Sequence, residues 1–283
     1  MSSSREPTPQ PAASGPPGAG RVALVTGAAR GIGAATVLAL ASDGWSVLAF
    51  DRAADDPDLP YPMASPGDLD GLVRQAERAA GAGRVAAFRG DVRDQAALAA
   101  AVAETERRWG GLDAAVAAAG VIAGGVPLWE VPPEQERAVL DVDLGGVIGL
   151  ARAAIPALLR RPAPRSGRFL AVSSAAATRG LPMLAAYCAA KAGVAGLIRS
   201  LGTELGGTGV TANAVSPGST RTPMLDQSAR LYGLPDAEAF GPDQPARRLI
   251  ESAEVASVLA FLAGPGSSAM TGSVVPVDGG LAL

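Results

Sequence analysis

The feature that most constrains the fold is an alternation, from Arg21 onward, of short apolar runs with longer segments of helical length. The runs that predict strands are 22–26, 45–50, 84–88, 113–119, 167–174, 209–216 and 273–277. The Ala-, Leu- and Arg-rich stretches that predict helices include 94–109, 134–160 and 184–206. Strands that are apolar throughout are typical of a parallel sheet covered on both faces. The pattern therefore predicts one α/β domain with a doubly wound parallel sheet of about seven strands.

A change in amino-acid composition near residue 20 defines the boundary of the predicted domain. Residues 1–20 are rich in Ser, Pro, Ala and Gly and contain no apolar run, which predicts a disordered N-terminal tail. Residues 21–283 are predicted to form the single domain. No run reaches the roughly 18 uninterrupted apolar residues of a membrane span, so we expect no transmembrane helix and a cytoplasmic protein.

An irregular insert interrupts the alternation after the second predicted strand. Residues 53–67 follow Asp51, and the stretch "RAADDPDLPYPMASPGD" holds four prolines. We expect the next helix to begin near Asp68, with Ser65 and Pro66 as cap residues. A long insert beside a strand end is usually either functional or a tolerated surface loop.

Two absences narrow the possible chemistry. The chain has no histidine and one cysteine, Cys188. These counts exclude a Ser-His-Asp triad, a His-ligated metal, an intrachain disulfide and a Cys cluster, and we expect no metal. The net charge of −3 gives no reason to expect nucleic acid or a membrane surface as a partner. Acid–base chemistry must therefore use Asp, Glu, Lys or Tyr.

The first strand and its following helix are joined by a glycine-rich turn. "VTGAARGIG" places Gly27, Gly31 and Gly33 there, where backbone can approach a pyrophosphate at a helix N-terminus. Glycine turns also join many strands to helices for purely structural reasons. Asp51, 18 residues after Gly33, strengthens the nucleotide interpretation. At the end of the second strand its carboxylate would accept hydrogen bonds from the adenosine ribose, unless it only begins a turn.

The same carboxylate indicates which cofactor is bound. A negative charge at Asp51 repels a 2′-phosphate and favours NAD over NADP, although Arg52 could soften that preference. Asp91 and Val92, in "GDVRD" at the end of the third predicted strand, are expected to contact adenine. The insert 53–67 should lie near the adenosine and could fold over it.

A phenol and an ammonium are paired in "AAYCAAKAGVAGL". Tyr187 and Lys191 are four positions apart, so they lie side by side on one helix face. A phenol with a pKa of about 10 is a poor base at neutral pH, but a nearby ammonium favours the phenolate. Ser174 lies 13 residues earlier at a predicted strand end, where ligands of open α/β sheets bind. An incidental pair on a solvated helix face is the alternative.

Taken in order, four motifs resemble the short-chain dehydrogenase/reductase family. They are "TGAARGIG", Ser174 with "YCAAK", "NAVSPGSTRTPM" and "VDGG", and the resemblance extends from Arg21 to Leu283. It implies a Rossmann-type fold, a small-molecule alcohol or ketone as substrate, and a homotetramer. The insert after Asp51 further resembles the mycofactocin-associated branch, in which NAD is thought to stay bound, with mycofactocin as the electron acceptor.

Roles carried over from the family fall on matching positions. The resemblance implies that Tyr187 is the general acid/base, that Lys191 binds the nicotinamide ribose, and that Ser174 holds the substrate oxygen. The implied cofactor-binding set is Gly27, Arg30, Gly31, Ile32, Gly33, Asp51, Arg52, Asp91, Val92, Ala118, Gly120, Tyr187, Lys191, Pro217, Gly218, Thr220 and Thr222. Residues 223–242 occupy the position of the family's substrate lid, with a plain surface helix as the alternative.

The sequence departs from the family pattern at two places. Ala117 to Gly120 read "AAAG" where the family carries Asn-Asn-Ala-Gly. Asp143, in "LDVDLGG", replaces a catalytic asparagine that helps to hold a water near the lysine. An aspartate there could hold the water as well, or pair with Lys191 and alter its pKa.

The leading hypothesis is an NAD-dependent oxidoreductase that transfers a hydride between a hydrophobic secondary alcohol and its ketone. Tyr187 would be the acid/base, and the cofactor would be retained and reoxidised by an external carrier. One alternative is a 3-oxoacyl or ketone reductase of lipid or polyketide metabolism. A second alternative is an inactive nucleotide-binding regulator, which Asp143 makes conceivable.

Overall fold

The computed structural model of the protein describes residues 20–283. The predicted tail, 1–20, therefore lies outside the described residues except for Gly20. The strands are β1 (Val22–Thr26), β2 (Ser46–Asp51), β3 (Val85–Arg89), β4 (Ala114–Ala117), β5 (Arg168–Val172), β6 (Thr211–Pro217), β7 (Thr220–Arg221), β8 (Ile250–Glu251) and β9 (Val274–Val277). The helices are α1 (Gly31–Ser42), α2 (Pro66–Ala80), α3 (Gln95–Trp109), α4 (Pro133–Leu140), α5 (Gly146–Arg160), α6 (Ala185–Glu204), α7 (Pro223–Leu231) and α8 (Ser252–Ala263).

Seven strands form one sheet in the order β3-β2-β1-β4-β5-β6-β9, and every neighbouring pair is parallel. The predicted doubly wound α/β fold is thus confirmed. The short strands β7 and β8 pair separately and were not predicted. The strand order reverses between β1 and β4, and ligands of such sheets bind beyond the strand ends at this point.

Helices bury apolar side chains on both faces of the sheet. Leu150 of α5 and Ile198 of α6 are fully buried on one face. Leu40 of α1 and Leu259 of α8 are fully buried on the other. Full burial of such a side chain stabilises the fold by about 1.5–3 kcal/mol, so the two layers hold the strand ends in fixed positions.

The segment predicted as one helix over 134–160 is two α-helices joined by a π-helical segment, Asp141–Gly145. By length and composition this continuous helix, Pro133–Arg160, could cross a membrane, and 56% of its most apolar window is buried in the fold. Its apolar character is accounted for by core residues such as Leu150. The wider π turn, a feature common at functional sites, places Asp143 in the interior.

Helix α2 begins at Pro66, two residues before the predicted start at Asp68. Proline presets the backbone angle of the first helical residue, which explains the earlier start. Ser65 is the N-cap, as predicted. Its Oγ accepts from the Asp68 N–H at 3.2 Å, and Asp68 Oδ2 accepts from the Ser65 N–H at 2.7 Å. This reciprocal capping ends the insert at a fixed point.

Candidate active site

A cavity of about 810 Å³ opens beyond the carboxyl ends of the central strands. The predicted site residues that line it are Gly27, Arg30, Gly31, Ile32, Gly33, Asp51, Arg52, Ala118, Gly120, Ser174, Tyr187, Lys191, Pro217, Gly218, Thr220 and Thr222. Asp91 and Val92 line a smaller adjoining pocket. Asp143 lines neither and is buried behind Lys191. The fold therefore brings most of the predicted cofactor-binding residues and the Ser-Tyr-Lys set to one cavity.

The turn between β1 and α1 is packed too tightly for side chains. Gly27 has a φ of +65°, and a Cβ added there would lie 2.5 Å from the Ala119 Cα. A Cβ at Gly33 would lie 2.0 Å from the Gly27 carbonyl oxygen. Arg30, the N-cap of α1, makes no side-chain capping bond. The first N–H groups of α1 are therefore left for an anion such as a pyrophosphate.

Asp51 is the last residue of β2 and already holds the glycine-rich turn. Its Oδ2 accepts from the Ala29 N–H at 2.9 Å, and its Oδ1 accepts from the Ala53 N–H at 2.8 Å. A carboxylate has about four acceptor sites, so Asp51 can still accept from ribose hydroxyls. Asp91 lies in the loop that directly follows β3, at the strand end where the sequence predicted an acidic turn.

Arg52 is held by carboxylates rather than directed freely into the cavity. Its Nη1 lies 2.5 Å from Asp56 Oδ2, and its Nε lies 3.5 Å from Asp91 Oδ2. Arg93 bridges the same two carboxylates, at 2.8 Å from Asp56 and 2.6 Å from Asp91. The Asp56 side chain is 2% exposed. This four-residue cluster fastens the insert to the loop between β3 and α3.

Tyr61 is a cavity residue that sequence reasoning missed. It projects from the insert, and its hydroxyl oxygen accepts from the Ile122 N–H at 2.9 Å in the loop after β4. Burial raises the pKa of Tyr61 to about 12, so the phenol stays protonated at neutral pH. The insert therefore has a second anchor, at the loop after β4, in addition to the cluster at the loop between β3 and α3. The scarcity of tyrosine was a usable signal, because the chain has three tyrosines and all three line this cavity.

The end of β5 and the first turns of α6 position the Ser-Tyr-Lys set. Lys191, the only lysine in the sequence, lies with Nζ 5.5 Å from the centre of the Tyr187 ring. Its Nζ donates to the Val172 carbonyl at 3.2 Å and lies 3.0 Å from Asp143 Oδ2. An ammonium has three donors, so one remains for a ligand in the cavity.

Opposing effects act on the Tyr187 phenol. Burial raises the pKa of Tyr187, and the charge of Asp143 raises it further. Lys191 and the nearby Ser174 hydroxyl act in the opposite direction and favour the phenolate. In this structure burial is the larger influence, so the pKa of Tyr187 stays above its ordinary value.

The far end of the cavity is apolar and partly enclosed by residues 223–242. Seven residues of this segment line it: Pro223, Met224, Leu225, Ser228, Tyr232, Leu234 and Phe240. The Tyr232 hydroxyl donates to the Pro182 carbonyl at 2.8 Å, and the Tyr232 and Phe240 rings pack edge to face at 6.1 Å. Thr222 caps α7 by accepting from the Leu225 N–H at 3.2 Å. These contacts hold the segment over the cavity next to Ser174 and Tyr187.

The fold and the glycine-rich turn define a dinucleotide-binding α/β protein. A family profile described as "Enoyl-(Acyl carrier protein) reductase" matches residues 27–282. The chain is 36% identical to an uncharacterized NAD-dependent oxidoreductase of Mycobacterium tuberculosis, over 92% of this chain and 95% of that one. It is 34% identical to the (-)-trans-carveol dehydrogenase of Rhodococcus erythropolis, over 93% and 98% of the two chains.

A solved structure agrees with these relatives. The carveol dehydrogenase from Mycobacterium avium, determined in complex with NAD, superposes with a TM-score of 0.87 at 32% identity. The match covers 93% of this chain and 98% of that one. The chain belongs to the short-chain dehydrogenase/reductase family.

Proposed function

We propose that this protein is an NAD-dependent oxidoreductase that interconverts a hydrophobic secondary alcohol and its ketone. The observation that carries the proposal is the shared cavity: Ser174, Tyr187 and Lys191 line the space that the glycine-rich turn and Asp51 also line. The names of the relatives, an NAD-dependent oxidoreductase and carveol dehydrogenases, support the same chemistry.

Ser174, Tyr187 and Lys191 have separate roles in the proposed proton transfer. When bound, NAD supplies the hydride acceptor, and its reduced form supplies the donor. Tyr187 removes the hydroxyl proton during alcohol oxidation and returns it during ketone reduction. Ser174 holds the substrate oxygen by a hydrogen bond, and the positive charge of Lys191 favours the phenolate form of Tyr187.

Residues 223–242, which we propose form the substrate lid, indicate the class of substrate by their apolar side chains. Apolar side chains such as Met224, Leu225 and Phe240 surround the space beside Tyr187. A hydrocarbon-rich alcohol gains about 25 cal/mol for each Å² of apolar surface that leaves water there. The carveol dehydrogenases among the relatives support an alcohol of this character.

The surroundings of Asp51 favour NAD over NADP. A 2′-phosphate would meet the Asp51 carboxylate, and the nearest cation, Arg52, is already paired with Asp56. Arg52 was expected to weaken the preference for NAD over NADP, and its pairing with Asp56 reduces that effect. This arrangement disfavours the alternative of an NADPH-dependent 3-oxoacyl reductase.

Replacing Asp51 with asparagine tests this cofactor preference. Asp51→Asn should weaken NAD binding by about 1.5 kcal/mol, the lower value for hydrogen bonds to a charged group, and reduce discrimination against NADP. The measurement is the ratio of NADP to NAD released from the purified, denatured protein. Asp58→Asn, an exposed change in the insert, should leave the ratio at the wild-type value. An unchanged ratio in Asp51→Asn would show that Asp51 does not select the cofactor.

The insert supports the mycofactocin-associated assignment, in which the bound cofactor is reoxidised in place. It is anchored at Tyr61 and at Asp56, and Met63 of the same insert lines both pockets. We propose that NAD lies beneath the insert, so that its release requires at least one of these anchors to open. We therefore include a retained NAD, with mycofactocin as the external electron acceptor, in the proposed function.

One experiment tests cofactor identity and retention together. Purified protein that has been dialysed extensively is denatured, and the released nucleotides are separated and quantified. The expected result is near-stoichiometric NAD or NADH. Turnover of alcohols is then followed with an artificial electron acceptor instead of added NAD. Absence of any nicotinamide would contradict retention, and bound NAD without turnover would favour the inactive regulator.

The proposal also includes a cytoplasmic homotetramer. Large apolar side chains remain exposed on two helices of the monomer: Ile148 on α5 is 37% exposed and Phe261 on α8 is 53% exposed. Exposed apolar surface of this kind commonly marks a protein–protein contact, here one between copies of this chain.

A further inference from the structure

Asp143 is a buried carboxylate at a position where the family pattern has an uncharged amide. The side chain is 0% exposed and lies in the π-helical segment between α4 and α5. Its Oδ1 accepts from the Val121 N–H at 2.8 Å, and its Oδ2 lies 3.0 Å from Lys191 Nζ. An asparagine could reproduce the first contact, but only an aspartate can supply a negative charge at the second.

Burial and the polar contacts act in opposite directions on the charge of Asp143. Burial, the largest influence, raises the pKa of Asp143, whereas the Lys191 ammonium and the Val121 N–H lower it and favour the carboxylate. Isolated charges are costly to bury, and a buried ion pair is stable only when further hydrogen bonds satisfy both members. Here the Val121 N–H donates to the carboxylate, and the Val172 carbonyl accepts from the ammonium. The Lys191 side chain is 4% exposed, so water contributes little. Besides the opposite charge, Asp143 therefore has a hydrogen-bond donor as partner and Lys191 has a hydrogen-bond acceptor.

The packing against α6 fixes this pair in place. A Cβ at Gly193, one helical half-turn beyond Lys191, would lie 2.8 Å from Leu144, so the absence of a side chain lets α6 approach the π-helical segment. Gly120 lies over the pair from the cavity side, where an added Cβ would be 3.3 Å from Asp143 Oδ2. Asp143 is thus held close to the cavity without lining it.

We propose that Asp143 is a positioning residue that fixes Lys191 through a buried ion pair and, by partly cancelling its charge, sets the pH range in which Tyr187 exchanges protons. The proposal rests on the function proposed above, because it assigns Tyr187 the acid/base role. Lys191 alone would favour the phenolate strongly. With Asp143 beside Lys191, Tyr187 stays a protonated phenol to higher pH than it would with an asparagine there.

The neighbouring titratable groups are consistent with this assignment. Tyr187 and Lys191 of α6 and Tyr61 of the insert face Asp143, and Cys188 lies next to Tyr187. Burial opposes the charge of Lys191, but Asp143 and Tyr187 outweigh it and raise the pKa of Lys191. Burial and then the charge of Asp143 raise the pKa of Tyr187.

The first test is the pH profile of alcohol oxidation by Asp143→Asn. Removing the negative charge should move the acidic limb of kcat/KM to lower pH by about one unit, at the low end of shifts caused by adjacent charges. Asp143→Ser removes the same charge with a smaller side chain and should move the limb in the same direction. Asp113→Asn is the matched control, since Asp113 pairs with Arg161 at the opposite end of β4. The acidic limb of kcat/KM for Asp113→Asn should stay at the wild-type pH.

The second test does not depend on turnover. Because the chain has one lysine, protein labelled with isotopic lysine gives a single side-chain ammonium signal by NMR. In the wild-type holoprotein this signal should remain that of a charged ammonium to higher pH than in Asp143→Asn, by about one to two units. Thermal unfolding of each variant checks that the fold is retained.

The outcomes separate this proposal from the proposed function. A shift of both the lysine titration and the kcat/KM limb supports the assignment. An unchanged lysine titration overturns the ion pair, even if the enzyme is active. A shifted lysine titration with an unmoved limb overturns the claim that Asp143 acts on Tyr187. If the wild-type protein oxidises no alcohol, the proposed function fails, and the NMR result alone still decides the ion pair.

Discussion

Tyr187→Phe is expected to lower kcat for alcohol oxidation by about 10²–10⁴-fold, the usual contribution of a positioned acid/base. The phenol is the titratable group between the Ser174 hydroxyl and the Lys191 ammonium, and phenylalanine keeps the ring without the hydroxyl. The measurement is steady-state turnover with an artificial electron acceptor over a series of hydrophobic secondary alcohols. The fold should persist, because only one oxygen atom is removed and the aromatic ring is kept.

Two comparisons make this result specific. The nicotinamide content of denatured Tyr187→Phe should equal that of the wild-type protein, which excludes loss of cofactor as the cause. Tyr232→Phe removes a phenol from the apolar end of the cavity, where its hydroxyl donates to the Pro182 carbonyl. That change should act mainly on KM, because the hydroxyl holds the proposed lid. Turnover by Tyr187→Phe within a few-fold of wild type would remove Tyr187 from the acid/base role.

The parts of the fold that depend on local sequence could be predicted from it. Apolar runs define buried strands by themselves, and all seven strands of the parallel sheet were predicted with small errors at their ends. The turn with Gly27 and Gly33 could be predicted because only glycine fits the close approach there. Tyr187 and Lys191 could be paired because helix geometry places residues four apart side by side.

Features that depend on contacts between distant segments were not predictable. Tyr61 reaches Ile122, which is 61 positions away, and no local pattern indicates that contact. Arg52 could be noticed beside Asp51, and Asp56 is only four positions further on. The link from Asp56 to Arg93, 37 positions away, required the folded chain. The π turn at Asp143 breaks a helix that the sequence pattern presents as continuous.

The two charged clusters occupy opposite sides of the cavity and have different consequences. Asp143 and Lys191 are almost fully buried, and we propose that their interaction acts on the proton chemistry near Tyr187. Arg52 and Asp56 lie at the nucleotide end, where the arginine is 30% exposed. Their interaction joins Arg52 to the insert, and in our proposal it keeps this cation from a 2′-phosphate. We therefore propose that the same type of ion pair serves proton chemistry at one end of the cavity and cofactor retention at the other.

Opening both anchors of the insert should turn a retained cofactor into an exchangeable one. Tyr61→Phe removes the acceptor of the Ile122 N–H, and Asp56→Asn removes the charge that holds Arg52 and Arg93. Together the lost hydrogen bonds and ion pairs amount to about 2–4 kcal/mol, which corresponds to roughly 30- to 1000-fold faster cofactor release. The measurement is the exchange of bound NAD for labelled NAD after rapid desalting, with the nucleotide quantified at successive times.

A matched control separates the anchors from a general loss of surface charge. Asp70→Asn breaks the ion pair between Asp70 and Arg89, which joins α2 to β3 outside the cavity and is about half exposed on both sides. Its exchange rate should equal that of the wild type, because an exposed pair contributes little and does not touch the insert. Each single anchor variant should release NAD at an intermediate rate, since Tyr61 and Asp56 hold different parts of the segment. Equal exchange rates in the wild type and the double variant would show that the insert does not retain the cofactor, and free exchange in all the proteins would exclude the need for an external electron acceptor.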